Sequence, residues 1–183
     1  VTGAAVNGTA GSGDWYTSDV TVTLTATDVS GIYSKWYARN VIQSANGTTS
    51  TNGLVAYVSP IVVSDGVYEL QYRSRDNAGN NETVQSLTVK TDKIAPTYAV
   101  TANGVPLAQG AEFEDSQPVT IDVQSADSLS GVASQAVTVD GQSYVPGTPL
   151  NWAGQLGAHA IQVTVTDQAG NASQGTTNVT VVD

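Results

Sequence analysis

Residues 20–26 read Val-Thr-Val-Thr-Leu-Thr-Ala and place an aliphatic side chain at every second position. Successive side chains of a β-strand point to opposite faces of the sheet, so this stretch predicts a strand with one buried aliphatic face. The same alternation recurs at residues 68–72, 119–123 and 161–165. No segment shows a convincing helical period of 3.6 residues. The sequence therefore predicts an all-β fold.

Two turn sequences occur twice in the chain. Residues 25–31 read TATDVSG, and residues 124–131 read QSADSLSG. Residues 75–80 read RDNAGN, and residues 166–171 read TDQAGN. Each turn follows a predicted strand, and the order of the turns is the same in both halves. The chain is therefore an internal repeat of two copies, each of the size of a small β-sandwich of roughly 100 residues.

The boundary between the copies reads TDKIAP at residues 91–96. A proline after an acidic strand end is typical of a joint between domains. We predict two tandem immunoglobulin-like β-sandwich domains, one at residues 1–95 and one at residues 96–183. The first copy is longer and is predicted to carry an extra loop near residues 40–57, which are rich in Ser, Thr, Asn and Gly. Because the chain begins at Val1 and contains no Met, we expect a segment of a longer protein with further repeats.

The TATDVSG opening, the YRSRDNAGN turn at residues 72–80 and the DKIAP joint resemble bacterial Ig-like repeats. Such repeats occur in surface proteins and in secreted multimodular enzymes that degrade polysaccharides. The resemblance covers nearly the whole chain and implies a secreted or cell-surface location. It implies a role in spacing, display or, less often, ligand binding, because the fold itself does not dictate an activity.

Charge narrows the range of partners. The chain has a net charge of −10, and no Lys or Arg follows Pro96. Such a surface is a poor partner for nucleic acid, and no stretch is apolar enough for insertion into a membrane. Cysteine is absent, which excludes disulfides, thiol catalysis and Cys-based zinc sites. We expect a monomer whose partners are other modules of the same polypeptide, a polysaccharide or a surface protein.

Four aspartates form the main candidate site. Asp28 and Asp76 end the predicted strands B and F of copy one, and Asp127 and Asp167 do so in copy two. Loops at one end of such a sandwich lie together, so each pair of carboxylates should approach closely. One interpretation is a Ca²⁺ site, because this ion prefers oxygen ligands. The other is capping of turn N–H groups by Asx turns. Both interpretations stay open.

Copy two is the stronger candidate for the metal. Strand G of copy one ends beside the predicted start of copy two, which should bring Asp92 near Asp127 and Asp167. Asn171 would add an amide oxygen to these carboxylates. On the interpretation as a structural Ca²⁺ site, the candidate ligands are therefore Asp92, Asp127, Asp167 and Asn171. Asp28 and Asp76 are the corresponding, weaker candidates of copy one.

The aromatic residues suggest a second kind of site. The alternation around Tyr37 places Trp36 on the outer face of its strand, where an exposed ring can stack on a sugar or cover a neighbouring loop. Trp36 and Tyr33 are the candidate ligand-binding residues. We expect Trp152 to pack in the core and Trp15 to pack at a sandwich edge.

Catalytic residues are scarce. His159 is the only histidine, and it falls eight residues before Asp167, as Tyr68 falls eight before Asp76. Tyr68 is predicted to form a tyrosine corner, with its hydroxyl bound to the backbone at the turn before strand F. His159 is therefore expected to be structural, and we predict that the chain is not an enzyme.

These observations favour a non-catalytic structural module that spaces, orients or displays another part of a secreted or cell-surface bacterial protein. The alternative is a carbohydrate-binding accessory module of a secreted polysaccharide-degrading enzyme. Adhesion to a surface protein is a third hypothesis.

Overall fold

A computed structural model describes residues 1–183, and all of its regular elements are β-strands. The first eight are β1 (Thr2–Asn7), β2 (Trp15–Tyr16), β3 (Val20–Ala26), β4 (Ile32–Gln43), β5 (Val55–Ala56), β6 (Ile61–Val63), β7 (Gly66–Asp76) and β8 (Gln85–Thr91). The others are β9 (Thr97–Ala102), β10 (Val105–Pro106), β11 (Ala111–Glu114), β12 (Val119–Ala126), β13 (Val132–Val139), β14 (Gln142–Tyr144), β15 (Pro149–Leu150), β16 (Gly157–Asp167) and β17 (Ala172–Val182). No helix has the length and hydropathy that crossing a membrane requires.

The chain divides into two compact units. Unit 1 contains Val1–Ile94 together with Ser128–Ser130, and unit 2 contains Ala95–Asp127 and Gly131–Asp183. The short segment Ser128–Ser130 belongs to unit 1 although it follows β12 in the chain. Its Leu129 carbonyl oxygen accepts a hydrogen bond of 3.1 Å from the Gln43 side chain.

Unit 1 is a sandwich of a three-stranded sheet, β1-β3-β6, and a five-stranded sheet, β2-β8-β7-β4-β5. Its first strand is divided between the sheets, because β1 pairs antiparallel with β3 whereas β2 pairs parallel with β8. The alternating face of β3 is buried as its sequence predicts, with Val20, Val22 and Leu24 at most 1% exposed. These side chains pack against Tyr68, Leu70 and other inward residues of the facing sheet.

Unit 2 repeats the arrangement with a four-stranded sheet, β10-β9-β12-β15, and a five-stranded sheet, β11-β17-β16-β13-β14. Again the first strand is divided, since β9 pairs antiparallel with β12 and β11 pairs parallel with β17. Alternate residues of β12 and β16 form the core, among them Val119, Ile121 and Ile161. The prediction of two tandem immunoglobulin-like β-sandwiches is confirmed.

The predicted tyrosine corner is present in unit 1. The Tyr68 hydroxyl donates a hydrogen bond of 3.3 Å to the carbonyl oxygen of Asp65, three residues earlier. Gly66, between them, has a φ of 149°. A Cβ at this position would lie 2.9 Å from both the Tyr68 ring and the Gln43 carbonyl oxygen, so the corner requires a glycine.

The segment predicted as an extra loop, residues 40–57, is partly strand. β4 continues to Gln43, and β5 pairs with β4 through Val55 and Ala56. Amide side chains connect the two arms, because the Asn52 backbone N–H donates to Asn40 Oδ1 at 2.8 Å and Asn52 Nδ2 donates to the Arg39 carbonyl oxygen. A composition rich in Asn, Ser and Gly predicts a loop but does not reveal side-chain bonds of this kind.

Trp152 lies in the core of unit 2, as its sequence context predicts, and is 1% exposed. We expect Trp152→Ala to lower the free energy of unfolding of unit 2 by about 3–5 kcal/mol, because it removes a large buried ring and leaves a cavity. Urea denaturation of the variant measures this loss. Trp36→Ala, at a half-buried position on the outer face of unit 1, is the control and should cost clearly less. Equal losses for the two variants would contradict the core assignment.

Candidate functional site

The turn after β16 in unit 2 is closed by the carboxylate of Asp167. Asp167 Oδ1 accepts hydrogen bonds from the N–H groups of Gly170 at 2.7 Å and Asn171 at 2.8 Å. Asp167 Oδ2 accepts a further bond of 2.8 Å from Asn171 Nδ2. Gly170 adopts a φ of 100°, which only glycine reaches without strain. These bonds explain why Asp, Gly and Asn occur at fixed offsets in this turn.

Asp127 approaches Asp167 within the same unit. A carboxylate oxygen of Asp127 and one of Asp167 lie within 4.8 Å of each other. Asp127 Oδ1 accepts a hydrogen bond of 2.7 Å from the Gly131 N–H, and Gly131 has a φ of 83°. Asp167 is 1% exposed and Asp127 is half-buried. The structure thus brings these two predicted residues together, and both cap a turn.

In unit 1 the corresponding pair is more open to solvent. Asp28 Oδ1 accepts hydrogen bonds from the Ser30 N–H and hydroxyl at 2.8 and 2.6 Å, and these bonds hold the Asp28 pKa below its ordinary value. Asp76 accepts bonds from the Asn80 side chain and backbone, both at 2.8 Å, which lower the Asp76 pKa in the same way. Asp28 is exposed, although the alternation of β3 predicts an inward position. The strand ends at Ala26, so the alternation does not reach Asp28.

Asp92 lies in unit 1 and is 0% exposed. Its backbone N–H donates to the Tyr16 carbonyl oxygen at 2.9 Å. Its carboxylate accepts one hydrogen bond of 3.1 Å from the Ile94 N–H and another of 3.0 Å from the Ser130 N–H. Asp92 thereby fixes the end of the chain segment that leaves β8.

The capping bonds expected of these aspartates are present in both units. The assignment of Asp92, Asp127, Asp167 and Asn171 to a metal ion, and of Asp28 and Asp76 to a weaker one, stays a prediction.

Tyr33 and Trp36 lie near each other on β4 of unit 1. Tyr33 is 69% exposed and lies at an irregularity in the pairing of β4 with β7, between Ile32 and Ser34. Trp36 is half-buried, and its Nε1 donates to the Ser34 hydroxyl at 2.9 Å. Across the sheet, Trp36 is paired with Ala56 of β5. Their role as ligand-binding residues stays a prediction.

Glu82 was not predicted as an important residue. Its carboxylate accepts bonds from the Thr2 N–H at 2.9 Å, the Thr2 hydroxyl at 2.5 Å, and the N–H and hydroxyl of Ser74 at 3.2 and 3.1 Å. Burial alone would raise the Glu82 pKa, but these donors lower it from 4.5 to about 2. Their stabilising effect is therefore complete above pH 4.5 and is lost as the pH falls toward 2. The sequence gives little signal for this cluster, because Thr2 and Glu82 are 80 residues apart.

His159 of unit 2 has acceptors at both ring nitrogens. Nδ1 lies 2.7 Å from Asp140 Oδ2, and Nε2 lies 2.8 Å from the Gln155 carbonyl oxygen. The ring also stacks on Trp152 at a centroid distance of 5.3 Å. A neutral imidazole has one N–H and can donate to only one of these oxygens, whereas the imidazolium donates to both. Burial lowers the His159 pKa, but the bonds to Asp140 and Gln155 outweigh it and raise the pKa above 6.5.

Comparison with known proteins finds similar solved structures but no related sequence. No protein-family model matches the sequence, and no curated protein matches it. Among solved structures, the fibronectin(III)-like modules of CbhA from Clostridium thermocellum are similar, with 17% identity, a TM-score of 0.40 and coverage of 97% of this chain and 93% of theirs. The D00-D0 domain of intimin has 15% identity, a TM-score of 0.35 and coverage of 98% and 100%.

Drosophila N-cadherin EC1-3 has 14% identity and a TM-score of 0.32, with coverage of 89% of this chain and 59% of the cadherin chain. Because the TM-scores of all three structures are below 0.5, these similarities carry no inference about function.

The His159 contacts predict a pH-dependent stability of unit 2. Their contribution should be complete below pH 6.5 and should be lost as the pH rises through the raised His159 pKa, since deprotonation removes one donor. We expect a loss of about 1 kcal/mol, the value of one hydrogen bond, as the pH is raised above 6.5. Thermal unfolding across this range measures it.

His159→Gln should abolish this pH dependence, whereas Tyr68→Phe, at the corresponding position of unit 1, should leave it unchanged. A pH profile that is the same in His159→Gln and in the unaltered protein would contradict the assignment.

Proposed function

We propose that the chain is a non-catalytic structural module that spaces and orients another module of a larger secreted or cell-surface bacterial protein. The observation that carries this proposal is the way in which the chain is held as it leaves unit 1. The Lys93 N–H donates to Asp65 Oδ1 at 3.0 Å, and Lys93 Nζ lies 2.6 Å from Asp19 Oδ1. The Ile94 N–H is bound by Asp92.

Only Ala95 and Pro96 separate Ile94 from the first residue of β9, Thr97. A connection this short, with a proline that restricts the backbone, differs from the long Gly/Ser-rich sequences that form flexible linkers. A restricted connection suits a part whose role is to set the direction and distance of its neighbours.

The absence of cysteine in the chain allows a direct test of this connection. Spin labels on Thr88→Cys in unit 1 and Gln162→Cys in unit 2, two exposed positions, report the distance between the units. We expect a narrow distribution of distances. Inserting about six Gly/Ser residues between Ala95 and Pro96 should broaden it, because such residues behave as a flexible coil. Distributions of equal width before and after the insertion would rule out a restricted connection.

Binding of a structural calcium ion is the second candidate function, and the close approach of Asp127 and Asp167 favours it. Asp127 and Asp167 both accept hydrogen bonds from turn donors, but those donors carry no charge, and two carboxylates within 4.8 Å repel each other until their charge is neutralised. Unit 2 contains no Lys or Arg that could neutralise them. A divalent cation with oxygen ligands meets that need. The sequence-based prediction also assigns Asn171 and Asp92 to the ion.

Calcium should therefore raise the melting temperature, and EDTA should reverse the rise. At a hundredfold excess over the dissociation constant the stabilisation would be about 2.7 kcal/mol. Differential scanning calorimetry with Ca²⁺, with Mg²⁺ and with EDTA measures the effect. Asp127→Asn should remove it, whereas Asp28→Asn, the corresponding change in unit 1, should leave most of it. Identical melting curves with Ca²⁺ and with EDTA would exclude a structural ion.

Carbohydrate binding remains the alternative function, as an accessory module of a secreted polysaccharide-degrading enzyme. The exposure of Tyr33 on the same face as Trp36 supports it, because rings that are open to solvent can stack on a sugar.

A further inference from the structure

The outer face of unit 1 near Trp36 contains two arginines as well as the two aromatic residues. β7 alternates between inward Tyr72 and Ser74, which are buried, and Arg73 and Arg75, which face outward. Arg73 is the cross-strand partner of Trp36. The Arg75 guanidinium lies 5.8 Å from the centre of the Tyr33 ring. We call Tyr33, Trp36, Arg73 and Arg75 the arginine–aromatic face.

Neither arginine of this face has an acidic partner. The ion pairs of the chain are formed by Lys93 and His159. Arg73 Nε is buried without a hydrogen-bond partner, and Arg75 Nε donates only to the Gly79 carbonyl oxygen, at 3.3 Å. A chain with 16 acidic and only six basic residues has ample acids to pair its cations. Arg73 in particular needs an explanation, since a buried donor without an acceptor costs about 1–3 kcal/mol.

We propose that the arginine–aromatic face binds a carboxylate-bearing sugar of an acidic polysaccharide. This inference rests on the carbohydrate-binding alternative above and specifies its ligand. Guanidinium groups recognise carboxylates with two parallel hydrogen bonds, which makes Arg73 and Arg75 suitable for the acid group. Tyr33 offers an exposed ring for the apolar face of the sugar.

The geometry of the face suits an extended chain of sugars. Arg73 and Arg75 are two residues apart on one strand, so they lie about 7 Å apart along it. A concavity of about 240 Å³ lies at the Arg75 end of the face and is lined by Tyr33, Arg75, Asp76, Asn77 and Gly79. Successive carboxylates of one polysaccharide can therefore reach the two arginines in turn.

The charge of the chain also argues against a more highly charged polymer as the ligand. Asp76 shares the concavity with Arg75, and the chain as a whole is strongly acidic. Nucleic acid, with one charge per about 1.7 Å of duplex, would be repelled by such a surface. A polymer with a single carboxylate on each sugar spaces its charges more widely and matches two isolated arginines better.

The test uses two ligands with the same sugar backbone, one with free carboxylates and one in which they are methyl-esterified. Oligogalacturonate carries a carboxylate on each sugar, and its fully methyl-esterified form does not. Isothermal titration should show binding of the acidic form and at least about tenfold weaker binding of the ester, a difference of about 1.4 kcal/mol. Arg73→Gln and Arg75→Gln should each weaken binding of the acid by at least about tenfold, as expected for a charged hydrogen-bonded contact.

Lys90→Gln is the matched control, since it removes one positive charge from the outer side of the neighbouring strand β8. It should leave the affinity unchanged. Melting curves of the variants show whether each one folds, and Tyr33→Ala tests the stacking at an exposed position where folding is not at risk.

The outcomes separate this inference from the alternative on which it rests. Equal binding of acid and ester would contradict the proposal that the ligand is acidic, but it would still support carbohydrate binding. No binding of either form would overturn both. Binding of the acid that is unaffected by Arg73→Gln and Arg75→Gln would place the site elsewhere. Equally strong competition by polyglutamate would overturn the inference in favour of an acidic protein partner.

Discussion

Burial of alternate side chains between two facing sheets is the constraint on which the rest of this structure depends. In unit 1, β3 and β7 each place every second residue in the core, and β12 and β16 do the same in unit 2. Because the period of a strand is two, the intervening residues must face outward or lie at an edge. The outward residues of β4 and β7 thus become free to form a surface, and the strand ends become free to carry polar turns.

The turns that follow β7 and β16 are closed by the same hydrogen bonds in two different environments. Asp76 and Asp167 each accept the backbone and side-chain N–H groups of an asparagine four residues later. Asp76 is half-buried, whereas Asp167 is buried and lies close to Asp127. The same turn therefore closes a more exposed strand end in unit 1 and a buried one in unit 2.

Tyr68 of unit 1 and His159 of unit 2 occupy corresponding positions, and the two side chains bind different numbers of acceptors. Tyr68 has a single hydroxyl and binds one carbonyl oxygen. His159 takes its place in unit 2 and faces two acceptors, Asp140 and Gln155. An imidazole titrates near neutral pH, and the bonds to Asp140 and Gln155 raise the His159 pKa, so this contact of unit 2 depends on pH. The two units share a fold, but their contacts at this position differ.

The strands, the inward faces, the tyrosine corner and the capped turns could be predicted from the sequence, because each depends on residues close together in the chain. Asp28 and Ser30 are two residues apart, and Asp167 and Asn171 are four apart. Only the tertiary structure revealed that Glu82 binds Thr2 and that Arg73 and Arg75 lie beside Trp36 and Tyr33. These contacts depend on which strands pair and in what register, including the irregularity at Ile32 and Ser34. Local alternation tells which face a residue occupies, but not which residue of another strand lies next to it.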